Sequence, residues 1–211
     1  MNRPRIFRLK AMMKAEGIDV LVTFKPEHSF YLSGFNPIIY SHPVIAILPL
    51  EGDPVLLVHA LRDDHGRSES FVEDIRLYGA WSTKVTMGPN WQDALVAILG
   101  EKGLEAGVVG VEEDYLPVAR HRLLQGLLPK ARLADSAAIF DRCRLVKDPD
   151  EIANARIAAA LADCGMDAAQ DALAQGGNER EISIASMDAM NRYWTEKLPD
   201  HEVADFGTLE G

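Results

Sequence analysis

Apolar positions follow two periods in the first 133 residues. Ile6, Leu9, Met12 and Met13 recur at helical spacing, which predicts a helix over 3–16 that docks by one face and ends near Gly17. Ile18-Asp19-Val20-Leu21-Val22-Thr23-Phe24 is a short β-branched run and predicts a buried strand. A turn at Pro26 leads to Tyr31-Leu32-Ser33-Gly34-Phe35. Two apolar runs, 44–48 and 55–58, flank Glu51-Gly52-Asp53-Pro54 and so predict a hairpin. Residues 74–78 alternate as a half-buried strand, and 91–102 place Trp91, Leu95, Ile98 and Leu99 on one helical face. A buried strand at 108–111, a helix at 116–128 and a short edge strand at 131–133 complete this part. Strands alternating with helices predict an α/β layer fold, and the hairpin makes its sheet mixed.

The pattern changes at residue 134. Asp148, Pro149 and Glu151 have the order of a capping box with proline in the first turn. Ile152, Ala155, Ala159, Ala162, Met166, Ala169 and Leu173 then recur at alternating spacings of three and four, an apolar face whose alanines permit close packing. Gly176-Gly177 stops this helix, Asn178 caps a second over 179–196, and 203–209 reads as a strand. Two helices and one strand cannot close a core, so 134–211 reads as the opening of a further domain, set apart from a first domain over 1–133.

Charge supports that division. The chain has 211 residues and a net charge of −10. Residues 1–133 hold 15 Lys/Arg against 16 Asp/Glu, whereas 134–211 hold 7 against 16. Neither part offers a basic stripe, which argues against nucleic acid and anionic membrane as partners. No apolar stretch reaches the length of a membrane span, and no secretory pattern follows the basic N-terminus. Two cysteines, Cys143 and Cys164, lie in helical patterns without metal or redox spacing, as in a reduced cytoplasmic protein.

Several motifs are weighed and set aside. The glycines at 100, 103, 107 and 110 do not spell a dinucleotide fingerprint, and no Walker loop is present. Asp63-Asp64-His65 and Glu112-Glu113-Asp114 are dense, but sequence neighbours do not share a face, so both read as solvated loop or cap charges. His201-Glu202 begins like a zincin motif but meets Asp205 where histidine is required. Cys143, between Arg142 and Arg144, reads as a packed helical thiol rather than a nucleophile. In Tyr40-Ser41-His42-Pro43 the proline imposes an extended approach, so Tyr40 and His42 project from a loop edge, where they can meet a substrate or a partner chain or serve as ordinary loop residues.

Three segments together resemble a known family. They are Arg8-Leu9-Lys10-Ala11-Met12-Met13 to Val22 with Pro26-Glu27-His28 and Tyr31-Leu32-Ser33-Gly34-Phe35; Arg144-Leu145-Val146-Lys147-Asp148-Pro149-Asp150-Glu151-Ile152; and Gly177-Asn178-Glu179-Arg180-Glu181-Ile182. In order and spacing they resemble the creatinase, aminopeptidase P and prolidase family, with Asn178 where the family has threonine. The resemblance implies a creatinase N-terminal-like mixed sheet flanked by helices, followed by the first helices and strand of an α+β pita-bread domain. It implies a metallohydrolase whose pair of manganese, cobalt, zinc or iron ions is held by two Asp, one His and two Glu, none matched by a residue of this chain. It implies a homodimer in which Tyr40 and His42 reach the neighbouring subunit's site and touch a small peptide or amide substrate. The expected role of these residues is therefore substrate shaping and oligomerisation, with no cofactor bound by this chain. A non-catalytic dimerisation module and an α/β small-molecule binder are the alternatives.

Overall fold

The computed structural model describes residues 3–37, 41–199 and 201. It divides into two compact units, Met1–Leu145 and Val146–Gly211.

The first unit is built on strands β1 (Val20–Thr23), β2 (Ile45–Pro49), β3 (Val55–His59), β4 (Asp74–Tyr78), β5 (Val108–Val111) and β6 (Arg132–Asp135). Their order is β4-β3-β2-β1-β5-β6; β2 runs antiparallel to both its neighbours, and every other pairing is parallel. Alternation along β1 explains the two-layer core. Leu21 joins the cluster formed with helices α1 (Arg3–Glu16), α2 (Pro26–Ser33) and α6 (Ala137–Leu145), while Val20 and Val22 face α4 (Trp91–Glu101) and α5 (Val118–Leu127). Helix α1 docks through Ile6, Leu9 and Met13. A further helix, α3 (Asp63–Glu69), precedes β4.

One expectation is corrected here. Residues following Pro26 form a helix rather than a turn, opened by proline in its first turn and closed by Gly34 in the left-handed conformation, φ +74°. Helix α6, within the first compact unit, contributes Ile139, Phe140 and Cys143 to the core.

The second unit is a helical hairpin, α7 (Pro149–Ala174) and α8 (Glu179–Lys197), each opened by the expected capping box. Gly165 is the contact point: a Cβ there would lie 2.8 Å from Met190 Cγ and 3.0 Å from Ser186 Oγ. The stripe of α7 that faces α8 differs from the expected one. Ile157, Leu161, Cys164, Gly165 and Ala168 are buried or half-buried, whereas Ile152, Met166 and Leu173 are exposed. Helix α7 thus has a second apolar stripe, and its choice between the two follows from the close approach at Gly165. The strand expected at 203–209 lies outside the described residues. Among the described residues no helix is long and apolar enough to cross a membrane.

Candidate functional site

Strand directions place the carboxyl ends of β1, β3, β4, β5 and β6 on one rim, together with the segment entering β2. In open α/β sheets, ligands settle at this rim where neighbouring connections diverge. Here that point lies between β1 and β5, and the protein's own side chains fill it. Glu112, fully buried, accepts the Phe24 N–H at 3.0 Å and meets His28 Nδ1 at 3.2 Å. His28 is fully buried too, stacks on Phe140 at 4.3 Å, and has Nε2 at 3.9 Å from Asp141. Lys25 and Asp114 pair across the top at 2.9 Å, which raises the lysine's proton affinity. Glu112 is therefore not a solvated loop charge. Alternation along β5 turns it inward, opposite Val111, where its carboxylate is held by the Phe24 N–H and His28.

The Asp63-Asp64-His65 cluster is engaged as well. Asp63, in the first turn of α3, is bonded by Arg67 at 2.6 Å and Lys84 at 2.7 Å, and Asp64 also reaches Lys84. Burial alone would raise the Asp63 pKa, but these two cations hold it below the ordinary carboxylate value. Cys143 is buried, and burial pushes its thiol up, with only Arg8 opposing. Of the flanking arginines, Arg142 bonds Glu16 at 3.1 Å.

Of the two residues expected at the loop edge, Tyr40 lies outside the described residues. His42 is half-exposed on the rim, with Nδ1 3.0 Å from Ser41 Oγ. Its ring stacks on His59 at 4.1 Å and an interplanar angle of 26°. His59 ends β3 and stands edge-on to Tyr78 at 5.4 Å, while Tyr78 donates to the Pro43 carbonyl at 2.8 Å. Burial raises the Tyr78 phenol well above its ordinary range, so this donor is always protonated; Arg120 opposes the shift. Burial first, and the neighbouring His42 second, lower the proton affinity of His59. Gly79 makes room for this arrangement: at φ +75°, a Cβ would fall 2.3 Å from His59 Nε2. Sequence reasoning missed His59. Its one signal was a histidine closing an apolar strand run.

Among the described residues, no three His, Cys, Asp or Glu side chains are grouped to hold a metal ion. The densest carboxylates are spent on Phe24, His28, Arg67 and Lys84. The described residues therefore do not fit a metal pair.

The fold and rim define an α/β domain with a six-stranded mixed sheet, its carboxyl-end crevice filled from within. Residues 5–146 match the creatinase/prolidase N-terminal domain. The chain belongs to that family. It is 31% identical over 160 residues to the ectoine hydrolase of Halomonas elongata, covering 73% of this chain and 40% of that protein. It is 26% identical over 198 residues to the creatinase of a Bacillus species, covering 94% and 46%, and 36% identical over 177 residues to the Xaa-Pro dipeptidase of Lactobacillus helveticus, covering 83% and 46%. The chain thus spans about half the length of the curated relatives it matches. The prolidase of Pyrococcus horikoshii shares the fold with a TM-score of 0.69 at 20% identity, over 90% of this chain and 48% of that one. A proline dipeptidase structure from Streptococcus pneumoniae aligns at 0.55 and 21% identity, over 67% of this chain and 98% of that one.

Proposed function

We propose that this chain is the N-terminal portion of a metal-dependent hydrolase of the Xaa-Pro peptidase and creatinase type, which cleaves a C–N bond in a peptide or small amide. The observation that carries the reading is the family match over residues 5–146, joined to relatives of which the chain spans about half. In this reading the chain shapes the substrate site and holds a homodimer together. Residues 146–211 open the pita-bread domain, and the metal pair belongs to another part of the complete hydrolase. His42 stands on the rim with Tyr40 two residues before it, and both reach the neighbouring subunit's substrate. The test uses the 211-residue chain dialysed against chelator and then given manganese. Elemental analysis finds no stoichiometric metal and a proline dipeptide is not cleaved. One or two retained ions per chain, with chelator-sensitive cleavage, overturn the assignment.

A second reading is favoured by the exposed stripe Ile152, Met166 and Leu173, which are 42%, 59% and 63% exposed. It makes the chain a non-catalytic dimerisation module. Sedimentation separates the two. A dimer that survives Met166→Glu and Leu173→Glu supports the first reading, and one that those changes dissociate supports the second.

A further inference from the structure

We propose that the outer edge of β6, with the groove between it and α5, is a docking site for an acidic peptide segment, which adds to the sheet as a further strand.

The two edges of the sheet are treated differently. The chain itself pairs with β4: Met87 donates to the Leu77 carbonyl at 2.8 Å, and Gly79, just past the strand, donates to that of Gly88 at 2.8 Å. At the other end of the order, β6 has no such cover among the described residues. Its register shows which groups stay open. Arg132 donates to Gly107 at 3.0 Å and Ser136 to Val111 at 2.9 Å, both toward β5. By the two-residue period of a strand, Leu133 and Asp135 turn their N–H and C=O groups to the outer side. An edge of this kind is a template for pairing with another chain.

The groove beside that edge has room for the side chains of an added strand. It holds about 440 Å³ over Leu128, Ala131 and Leu133, and His121, Gln125 and Arg132 line it. His121 Nε2 is buried there without a hydrogen bond, 3.5 Å from Glu113 Oε1, a polar atom that an incoming group would satisfy.

Charge selects the partner. Between Asp114 and Asp135 the chain carries Arg120, Arg122, Lys130 and Arg132 but no Asp or Glu, although its net charge is −10. Arg120 lies over the Phe24 ring, whereas Arg122, Lys130 and Arg132 are exposed and, among the described residues, make no ion pair. The nearby carboxylates are engaged: Asp135 accepts the N–H groups of Glu113 and Ala137, and Glu113 faces His121. A second copy on this edge would bring like charges together, whereas an acidic segment meets them with opposite ones. Main-chain bonds to Leu133 and Asp135 then supply affinity, and the exposed cations choose the sequence.

The test is calorimetric titration of the full 211-residue chain with a capped pentapeptide of alternating valine and glutamate, with amide exchange followed by NMR. The peptide is expected to bind and to slow exchange at the Leu133 and Asp135 N–H groups. Lysine in place of its glutamates weakens binding at least about tenfold, and Arg132→Gln, an exposed change, weakens it about threefold. Methylating the nitrogens of alternate peptide residues distinguishes a strand from a loosely held polyanion. One set of methyl groups faces β6 and abolishes binding, and the other faces away and leaves it. Absence of binding at millimolar peptide, equal binding of the lysine peptide, unchanged affinity in Arg132→Gln, equal effects of the two methylation patterns, or protection elsewhere than β6 overturns the proposal. So does concentration-dependent protection of Leu133 and Asp135 without peptide, which means that a second copy takes the edge.

Discussion

Glu112 binds a backbone N–H and an imidazole where no water reaches. Such a group is costly to remove, because both partners are left unpaired in a dry place. Replacing it by alanine strands the Phe24 N–H and His28 Nδ1, and is expected to destabilise the first unit by about 3 kcal/mol. Urea unfolding followed by tryptophan fluorescence measures this; a loss below about 0.5 kcal/mol, the size of an ordinary surface change, contradicts it. The local sequence Glu112-Glu113-Asp114 gave no warning of this role, since His28 and Phe24 lie 84 and 88 residues earlier. Only strand alternation beyond Val111 hinted that Glu112 turns inward. His59 is similar: its Leu61 contact is local, but His42 and Tyr78 reach it from the next strand's entry and from β4.

Helices are where local signals were most legible, and where two, α2 and the packing face of α7, were misread. Asn178 accepts from the N–H groups of Arg180 and Glu181, while Glu181 takes the Asn178 N–H at 2.8 Å. Asn178→Ala removes that cap and is expected to cost about 1 kcal/mol, read as a lower melting point of the far-UV helical signal. An unchanged melting curve shows that α8 does not depend on its cap. Helix α2 was read as a turn, although its start carries a local signal: proline in the first turn, Glu27 beside it, and Gly34 at the end. Its length of eight residues hid the helical period, and the buried Tyr31 and Leu32 fit a strand pattern as well. Helix α7 carried too much information rather than too little. Two apolar stripes run along it, and periodicity cannot say which one meets α8.

At the level of the whole chain, the two units differ in how they exclude water. The first holds two apolar clusters either side of a sheet, with β1, β2 and β3 nearly wholly buried. The second buries only Gly165 among its described helical residues. Hydrogen exchange is therefore expected to be slowest in β1, β2 and β5 and far faster in α7 and α8, the order set by local burial. Mass spectrometry of peptic fragments checks this. Protection of α7 equal to that of β1 at micromolar concentration contradicts it and means that the exposed stripe is covered by a partner.

The sequence alone determined the six strands of the mixed α/β sheet, helices α1, α4, α5, α7 and α8, the hairpin and both capping boxes, because each arises from spacings of a few residues. It also carried the family motifs, whose order survives without any knowledge of contacts. Tertiary structure decided the rest: that α6 belongs to the first core, that Glu112 closes the crevice, that α7 turns its Gly165 stripe to α8, and that His42 rests on His59. Each of these depends on groups far apart in the chain meeting at van der Waals or hydrogen-bond distance, and no local period records which distant groups will meet.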